Sequence, residues 1–336
     1  MHDKKAKILV AGAGGFIGGA MVHKLREMGH TNIRAVDIKP MTFWYQKFDD
    51  VDNRVLDLNK REACLDSVEG CHTVYNLAAN MGGMGFIEKN KALCMLSVLI
   101  NTHLLEAAKF HKLPGRFFYA SSACVYNATK QTKTDVTALK EEDAYPADAE
   151  DGYGWEKLFS ERMCRHFMED YGLTCRVARF HNVYGPNGTY AGGREKAPAA
   201  ISRKVIDAKM TGKTDIEIWG DGHQTRSFMY ITDCIKGILD ITWSDIKYPI
   251  NLGSSELVSI NQLVDLCEEL GHVKLKRNYN LDAPKGVRGR NSDNTLIMKE
   301  LNWEPNTKLR DGMAITYKWI EQEMKKSGNE SVVNWT

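Results

Sequence analysis

The chain is expected to be an α/β protein, with a doubly wound parallel sheet first and a smaller C-terminal α/β region after it. Three observations predict this. Apolar runs of strand length alternate with segments of helical periodicity from residue 7 to residue 120. The first run opens through a glycine-rich turn directly into a helix. The composition, 43% hydrophobic and 26% charged over 336 residues, suits a globular chain with a sizeable core.

Residues 7–11 read as a buried strand, and Gly12 to Gly18 form the turn. Phe16, Ile17, Ala20, Met21, Leu25 and Met28 then recur at helical spacing, and Gly29 stands where a helix C-cap belongs. A second strand runs from Asn32 to Val36 and ends in Asp37. The alternation continues with a strand near Arg54–Val55, a helix near 60–68, a strand over Thr73–Ala78, a helix near 90–111 and a strand over Arg116–Ala120. Such alternation implies right-handed crossovers and helices on both sheet faces. From His181 to Arg194 the chain is rich in Gly, Asn and Pro and reads as a long loop. Beyond it a helix is expected over 197–210, a strand over Ile216–Trp219, and amphipathic helices over Ile260–Leu270 and Asp311–Met324. The last ten or so residues read as frayed. A nucleotide-binding domain is therefore expected over 1–180, with a return near 213–245, and a second domain over 181–212 and 246–336.

The formal net charge is +2 and no long Lys/Arg run occurs, so no nucleic-acid partner is expected. No apolar stretch reads as a membrane span, and the start, from Met1 to Lys5, does not read as a signal peptide. The eight cysteines form no C-x-x-C pair and no Cys/His cluster with zinc spacing. Dispersed thiols of this kind fit a reducing compartment, so a cytoplasmic protein without a metal is expected.

The turn has the spacing Gly-x-x-Gly-x-x-Gly, at Gly12, Gly15 and Gly18. Between a strand and a helix, such glycines allow a tight turn, a close approach of backbone amides to a pyrophosphate, and close helix–strand packing. The helix N-terminus adds partial positive charge. Asp37 follows about 20 residues later, where an acid accepts hydrogen bonds from an adenosine ribose. A carboxylate there repels a 2′-phosphate, which favours NAD over NADP. The same residue type also serves as a turn cap. Asp57 is a weaker candidate for an adenine contact. We therefore expect a Rossmann-type site.

Tyr153 and Lys157 form a Tyr-x-x-x-Lys. On a helix these positions share a face. A lysine charge and an oxidised nicotinamide would lower the phenol's pKa, so that it takes a hydroxyl proton while hydride leaves the carbon. Ser122, at the end of a strand upstream, would hold the same oxygen. Cys124 stands two positions beyond. From the residues alone it is either a packed core thiol or an acid/base group. Lys196, after Gly192 and Gly193, is either a solvated lysine at a helix start or a proton donor that also stabilises enolate charge.

The glycine turn, the serine, the Tyr-x-x-x-Lys and the C-terminal extension together resemble the extended short-chain dehydrogenase/reductases, whose typical substrates are nucleoside-diphosphate sugars oxidised reversibly at C4. Longer blocks resemble the GDP-mannose 3,5-epimerase family in particular. They are Met81 to Phe86, Ser121 to Cys124, Gly192 to Pro198, Trp219 to Phe228 and Val287 to Asn294. The likeness runs over roughly residues 7 to 325. It implies epimerisation of GDP-mannose at C3 and C5 through a transient 4-ketone, with GDP-L-galactose and GDP-L-gulose as products. It implies Cys124 and Lys196 as the acid/base pair, with Ser122, Tyr153 and Lys157 running the redox step. It implies an NAD site of Gly12, Gly15, Phe16, Ile17, Gly18, Asp37, Asp57, Leu58, Leu77, Ala78, Tyr153 and Lys157. For the nucleotide sugar it implies Gly82, Ser121, Ser122, Cys124, Asn182, Glu195, Lys196, Ala197, Lys204, Gln224, Thr225, Arg226 and Arg290, the arginines because their planar fork matches phosphate oxygens. A homodimer through the helices near 90–110 and 155–170 is implied as well. Asn80 and His223 depart from the pattern and leave the base and the hexose open. Another nucleotide-sugar epimerase, or an epimerase-reductase like GDP-fucose synthase, is the alternative.

Overall fold

The computed structural model describes residues 3–327. The chain begins with β1 (Ile8–Ala11), α1 (Phe16–Glu27), β2 (Ile33–Asp37), β3 (Asp52–Val55), α2 (Arg61–Val68) and β4 (Thr73–Asn76). Then come α3 (Met84–Lys89), α4 (Lys91–Met95), α5 (Val98–Phe110), β5 (Arg116–Ser122), α6 (Asp151–Tyr171) and β6 (Thr174–Phe180). The remainder is β7 (Asn182–Tyr184), α7 (Ala197–Thr211), β8 (Asp215–Trp219), β9 (Thr225–Tyr230), α8 (Ile231–Trp243), β10 (Ile250–Leu252), β11 (Leu257–Ser259), α9 (Ile260–Gly271), β12 (Lys276–Asn280), β13 (Gly289–Arg290), α10 (Thr295–Leu301) and α11 (Leu309–Ser327).

Seven parallel strands form the main sheet in the order β10-β6-β5-β4-β1-β2-β3. The order reverses at β1, so the loops after β1 and β4 open a crevice at the strands' carboxyl ends, where ligands of such sheets bind. Every residue of β1, β2 and β4 is buried, as expected of parallel strands covered on both faces. Edge strand β3 is largely open to solvent. The doubly wound parallel sheet stands as expected.

A second group of strands sits beyond the sheet. β9 pairs with β11, β13 and β7, while β8 pairs with β12 in a separate two-stranded ribbon. Helices α7, α9 and α11 pack on one another beside them. Within and just past the expected return near 213–245, α8 packs on α1, β5 and β6 and β10 joins the main sheet beside β6, whereas β8 pairs with β12 outside that sheet. The long loop from His181 contains the short strand β7, and the frayed tail lies largely outside the described residues.

The expected helix near 90–111 is two pieces, α4 and α5. An 18-residue window within Lys91–Phe110 has a mean hydropathy of 1.3, so by composition alone this stretch is unusually apolar. Its apolarity has two visible uses. Ile100, Leu104, Leu105, Ala107 and Ala108 are buried, with α2 and α6 packed against the helix. Leu93, Met95, Leu96 and Leu99 form an exposed stripe on the other side.

Candidate active site

The glycine turn is built as its spacing predicts. Gly12 has φ +83°, and a Cβ there would lie 2.9 Å from the backbone of Leu77 and Ala78. A Cβ on Gly18 would lie 2.0 Å from the Gly12 carbonyl oxygen, so α1 approaches β1 closely only with glycine there. No side chain caps α1 at Gly15, which leaves its first amides facing the crevice. The cleft encloses about 490 Å³ and is lined by Gly12, Gly15, Phe16, Ile17, Gly18, Asp37, Asp57, Leu58, Leu77, Ala78 and Lys196, among others.

Asp37 ends β2 at the cleft. One carboxylate oxygen accepts from the Lys39 amide at 2.9 Å, and burial pushes the carboxyl above its usual range. Asp57 accepts from the backbone and side chain of Asn59, at 3.0 and 2.8 Å, which fixes a turn at the cleft wall. Uncapped amides, a glycine cradle that side chains would fill, and a carboxylate at the adenosine end together fit a dinucleotide.

The chemical end lies where β5, α6 and α7 converge. Ser122 caps a short turn and accepts from the Cys124 amide at 3.2 Å. The Glu150 amide donates to the Cys124 carbonyl at 2.9 Å, and a Cβ on Gly154 would meet that carbonyl at 2.2 Å. Glycine at 154 is therefore what lets α6 lie against this turn. Tyr153 is buried in a cluster with Cys124, Cys94 and Ile87, and Ser122 lies close enough to pull its phenol's pKa down. The Lys157 ammonium lies 5.5 Å from the Tyr153 ring centre, donates to the Tyr119 hydroxyl at 3.1 Å and pairs with Glu156 at 3.4 Å.

These contacts correct one expectation. Burial, helped by Cys124 and Glu156, pushes the Tyr153 phenol well above its ordinary range, against the pull of Ser122. The lysine was expected to lower it, but that charge is shared with Glu156 and Tyr119. The remaining part of the expected lowering is the nicotinamide's positive charge.

Lys196 is the N-cap residue of α7 and lines the cleft. Desolvation lowers its ammonium's pKa, opposed by the Cys124 sulfur when it is a thiolate. Burial raises the Cys124 thiol, with Arg290 pulling the other way. The sulfur and the ammonium thus belong to one site. Gly82 and Gly83 pack against Arg194 and Glu195: the Gly83 amide donates to the Arg194 carbonyl at 3.0 Å, and the Arg194 guanidinium lies over the Phe86 ring at 3.9 Å. Two blocks far apart in the chain therefore form one wall. Glu195 accepts from the Gly193 amide at 2.6 Å, and Ala197 is the first residue of α7.

Other expected sugar-nucleotide residues also make contacts within the chain. Ser121 donates to Glu161 at 2.5 Å, and Glu161 is paired with Arg179 at 2.8 Å, all buried. Neighbouring strand residues point to opposite faces, so Ser121 cannot share the role of Ser122. Asn182 donates to the Ser227 carbonyl at 3.3 Å, Thr225 to the Thr134 carbonyl at 2.5 Å, and Lys204 to the Glu217 carbonyl at 2.7 Å. Gln224 donates to the Trp219 carbonyl at 2.7 Å, while its own buried oxygen has no partner among the described residues. Arg226 and Arg290 are in register on β9 and β13. Burial and the Arg290 charge lower Arg226 to about 10. All three guanidinium nitrogens of Arg290 are engaged within the chain, and one of them faces Cys124 at 3.4 Å.

Several residues escaped the sequence reading. Lys39, Thr42, Phe43, Trp44 and Tyr45 line the cleft after β2. Glu150 and Gln131 surround Arg290. A run of aromatics just past Asp37 was a signal for the first group. None existed for the second, whose members meet only in the fold.

Residues 8–251 match the model of the NAD dependent epimerase/dehydratase family. The chain is 45% identical over 325 residues to GDP-mannose 3,5-epimerase of Arabidopsis thaliana, covering 96% of this chain and 84% of that one. It is 45% identical over 331 residues to GDP-mannose 3,5-epimerase 1 of japonica rice, covering 98% and 85%. The UDP-glucose 4-epimerase structure from Thermotoga maritima superposes with a TM-score of 0.83 at 23% identity, over 95% of this chain and 99% of that one, which shows the shared fold. The chain belongs to the NAD-dependent epimerase/dehydratases and uses NAD. Within that family its similarity lies with the GDP-mannose 3,5-epimerases.

Proposed function

We propose that this chain epimerises GDP-mannose at C3 and C5, giving GDP-L-galactose and GDP-L-gulose. The observation that carries this reading is that Cys124 shares a buried cluster with Tyr153 and lies within electrostatic reach of Lys196, which lines the dinucleotide cleft. A 4-epimerase needs no acid/base pair beyond its tyrosine. Inversion at the carbons beside a ketone needs two more groups, and a thiol and an amine are present.

When bound, NAD supplies a reversible hydride acceptor for C4; Gly12, Gly15 and Gly18 hold its pyrophosphate and Asp37 its ribose. Tyr153 takes the C4 hydroxyl proton, while Ser122 holds that oxygen. The ketone acidifies the C–H bonds at C3 and C5 because the carbanion becomes an enolate. Cys124 removes a proton on one face, and Lys196 returns one on the other. The charge of Lys196 also stabilises the enolate oxygen. The sugar ring must turn for both carbons to be served. Asp37 disfavours the NADP-consuming epimerase-reductase alternative, and a lysine stands in the loop where that chemistry needs a histidine.

A homodimer belongs to this reading. Leu93 and Met95 of α4, Leu96 in the turn after it and Leu99 of α5 are exposed, as are Trp155 and Phe159 of the adjoining α6. Two neighbouring helices with a shared apolar stripe suit a second copy related by a two-fold axis. Eight buried, unpaired thiols support a cytoplasmic location. Neither a nucleic acid nor a membrane is part of the proposal.

Incubation with GDP-mannose in deuterated water tests the function. Deuterium should appear at C3 and C5 by NMR, with no net change in NAD. The Cys124→Ala variant should lose this exchange while retaining NAD. Net consumption of a nicotinamide cofactor, or inversion at C4, would reject the reading.

A further inference from the structure

We propose that Glu150 and Gln131 are positioning residues for the acid/base thiol, holding the Arg290 guanidinium so that its third nitrogen stabilises the thiolate of Cys124. The idea rests on the proton-transfer role given to Cys124 above, but its test needs no turnover.

Arg290 Nη2 donates to Glu150 Oε2 at 2.6 Å, and Nε donates to Gln131 Oε1 at 2.6 Å. Nη1 lies 3.4 Å from Cys124 Sγ. Arg290, Gln131 and Cys124 are buried. A planar fork fixed at two nitrogens cannot swing its third, so the direction of the Nη1 bond is set by Glu150 and Gln131. Gln131 is itself clamped, its amide donating to the Tyr126 and Asn127 carbonyls at 3.3 Å. Glu150 is the N-cap residue of α6, tied through its own amide to the Cys124 carbonyl. Three separate segments thus converge on one guanidinium whose free edge meets the sulfur.

The chemistry needs such a device. A proton passing from the sugar carbon to sulfur turns thiolate into thiol; Lys196 protonates the opposite face, and the thiol then releases its proton to solvent to become thiolate again. Arg290, Glu150 and Cys124 are neutral together with the thiol and anionic with the thiolate. Arg290 stabilises the anion, and Glu150 keeps the sulfur from remaining anionic throughout. The other charged and titratable groups around the thiol are Tyr153 of α6, Lys196 at the start of α7, Arg226 of β9 and Cys94 of α4. Burial would raise the Glu150 carboxyl, but the Arg290 charge outweighs it and holds the carboxyl below its usual range. It therefore remains an anchor at neutral pH.

The experiment is a pH titration of the ¹³Cβ resonance of Cys124 in the NAD-loaded enzyme without sugar nucleotide, assigned by its loss in Cys124→Ser. Glu150→Gln keeps an acceptor and removes the charge, so the thiol midpoint should fall by about one pH unit. Glu150→Ala removes charge and anchor together, so its midpoint should lie above that of Glu150→Gln. Gln131→Met removes an anchor with no change of charge and should raise the midpoint above wild type, as should Arg290→Met. A Glu150→Ala midpoint at or below that of Glu150→Gln overturns the proposal. If that variant does not fold, an unchanged midpoint in Gln131→Met overturns it instead. Failure of GDP-mannose to react would leave these midpoints untouched, so the two readings fail separately.

Discussion

Ser121 and Ser122 are adjacent and chemically identical, yet they do different work. Ser122 caps the Cys124 turn and reaches Tyr153. Ser121 faces the other side of β5 and binds Glu161, which is locked to Arg179. Ser121→Ala should therefore leave exchange into the sugar nearly unchanged. It should cost about 2 kcal/mol of stability, the value of a buried hydrogen bond to a charged acceptor. Denaturant unfolding and deuterium wash-in, measured on one preparation, check both halves. Substrate contact through the Ser121 side chain would instead reverse the pattern, with activity lost and stability kept. The Ser-Ser pair was legible in the sequence, and which hydroxyl serves the site followed from strand alternation. That the other serine completes a buried ion pair was not legible, because Glu161 and Arg179 lie on α6 and β6.

Among elements, the junction of β1 and α1 depends on one missing side chain. The Gly12 carbonyl oxygen lies 2.0 Å from where a Cβ of residue 18 would stand, and that oxygen is backbone. Gly18→Ala must push α1 away from β1, and the amides at its start away from the pyrophosphate. The purified variant should lose its bound NAD on gel filtration, read from the ratio of absorbance at 260 and 280 nm. Retention at the wild-type level would contradict this. The junction of β6 and β7 depends on a buried neutral imidazole. Burial lowers His181 from 6.5 to about 3, and a ring nitrogen lies 3.2 Å from Asn251 on β10. The unfolded chain binds a proton here that the folded chain refuses. Stability is therefore lost as pH falls from about 6.5 towards about 3. His181→Gln should flatten the fall of Tm between pH 7 and pH 4, and an equally steep fall would show that other groups set it. Most elements were legible from periodicity. The split of the helix near 90–111, and the partner of β8, were not. A period tells which face is apolar but not what covers it.

At the scale of the whole molecule, α4, α5 and α6 close the main sheet on one side and leave Leu96, Leu99, Trp155 and Phe159 outward. If this face holds the proposed dimer, a Phe159→Glu, Leu96→Glu double variant should halve the mass measured by light scattering, and it should keep its bound NAD because the cleft lies elsewhere. An unchanged mass would remove this face from the assembly. The sequence by itself determined the order of strands and helices, the glycine cradle, the acid after β2 and the tyrosine–lysine face of α6. Each of these is a local property, set by spacing along a single segment. Only the tertiary structure decided that Arg290 turns to the thiol, and that the second half of the chain crosses back at α8 and β10. Those contacts join segments more than 40 residues apart, with no periodicity to announce them. Burial then decided the rest, because desolvation shifts the tyrosine, the thiol and the lysine in ways that no isolated residue reveals.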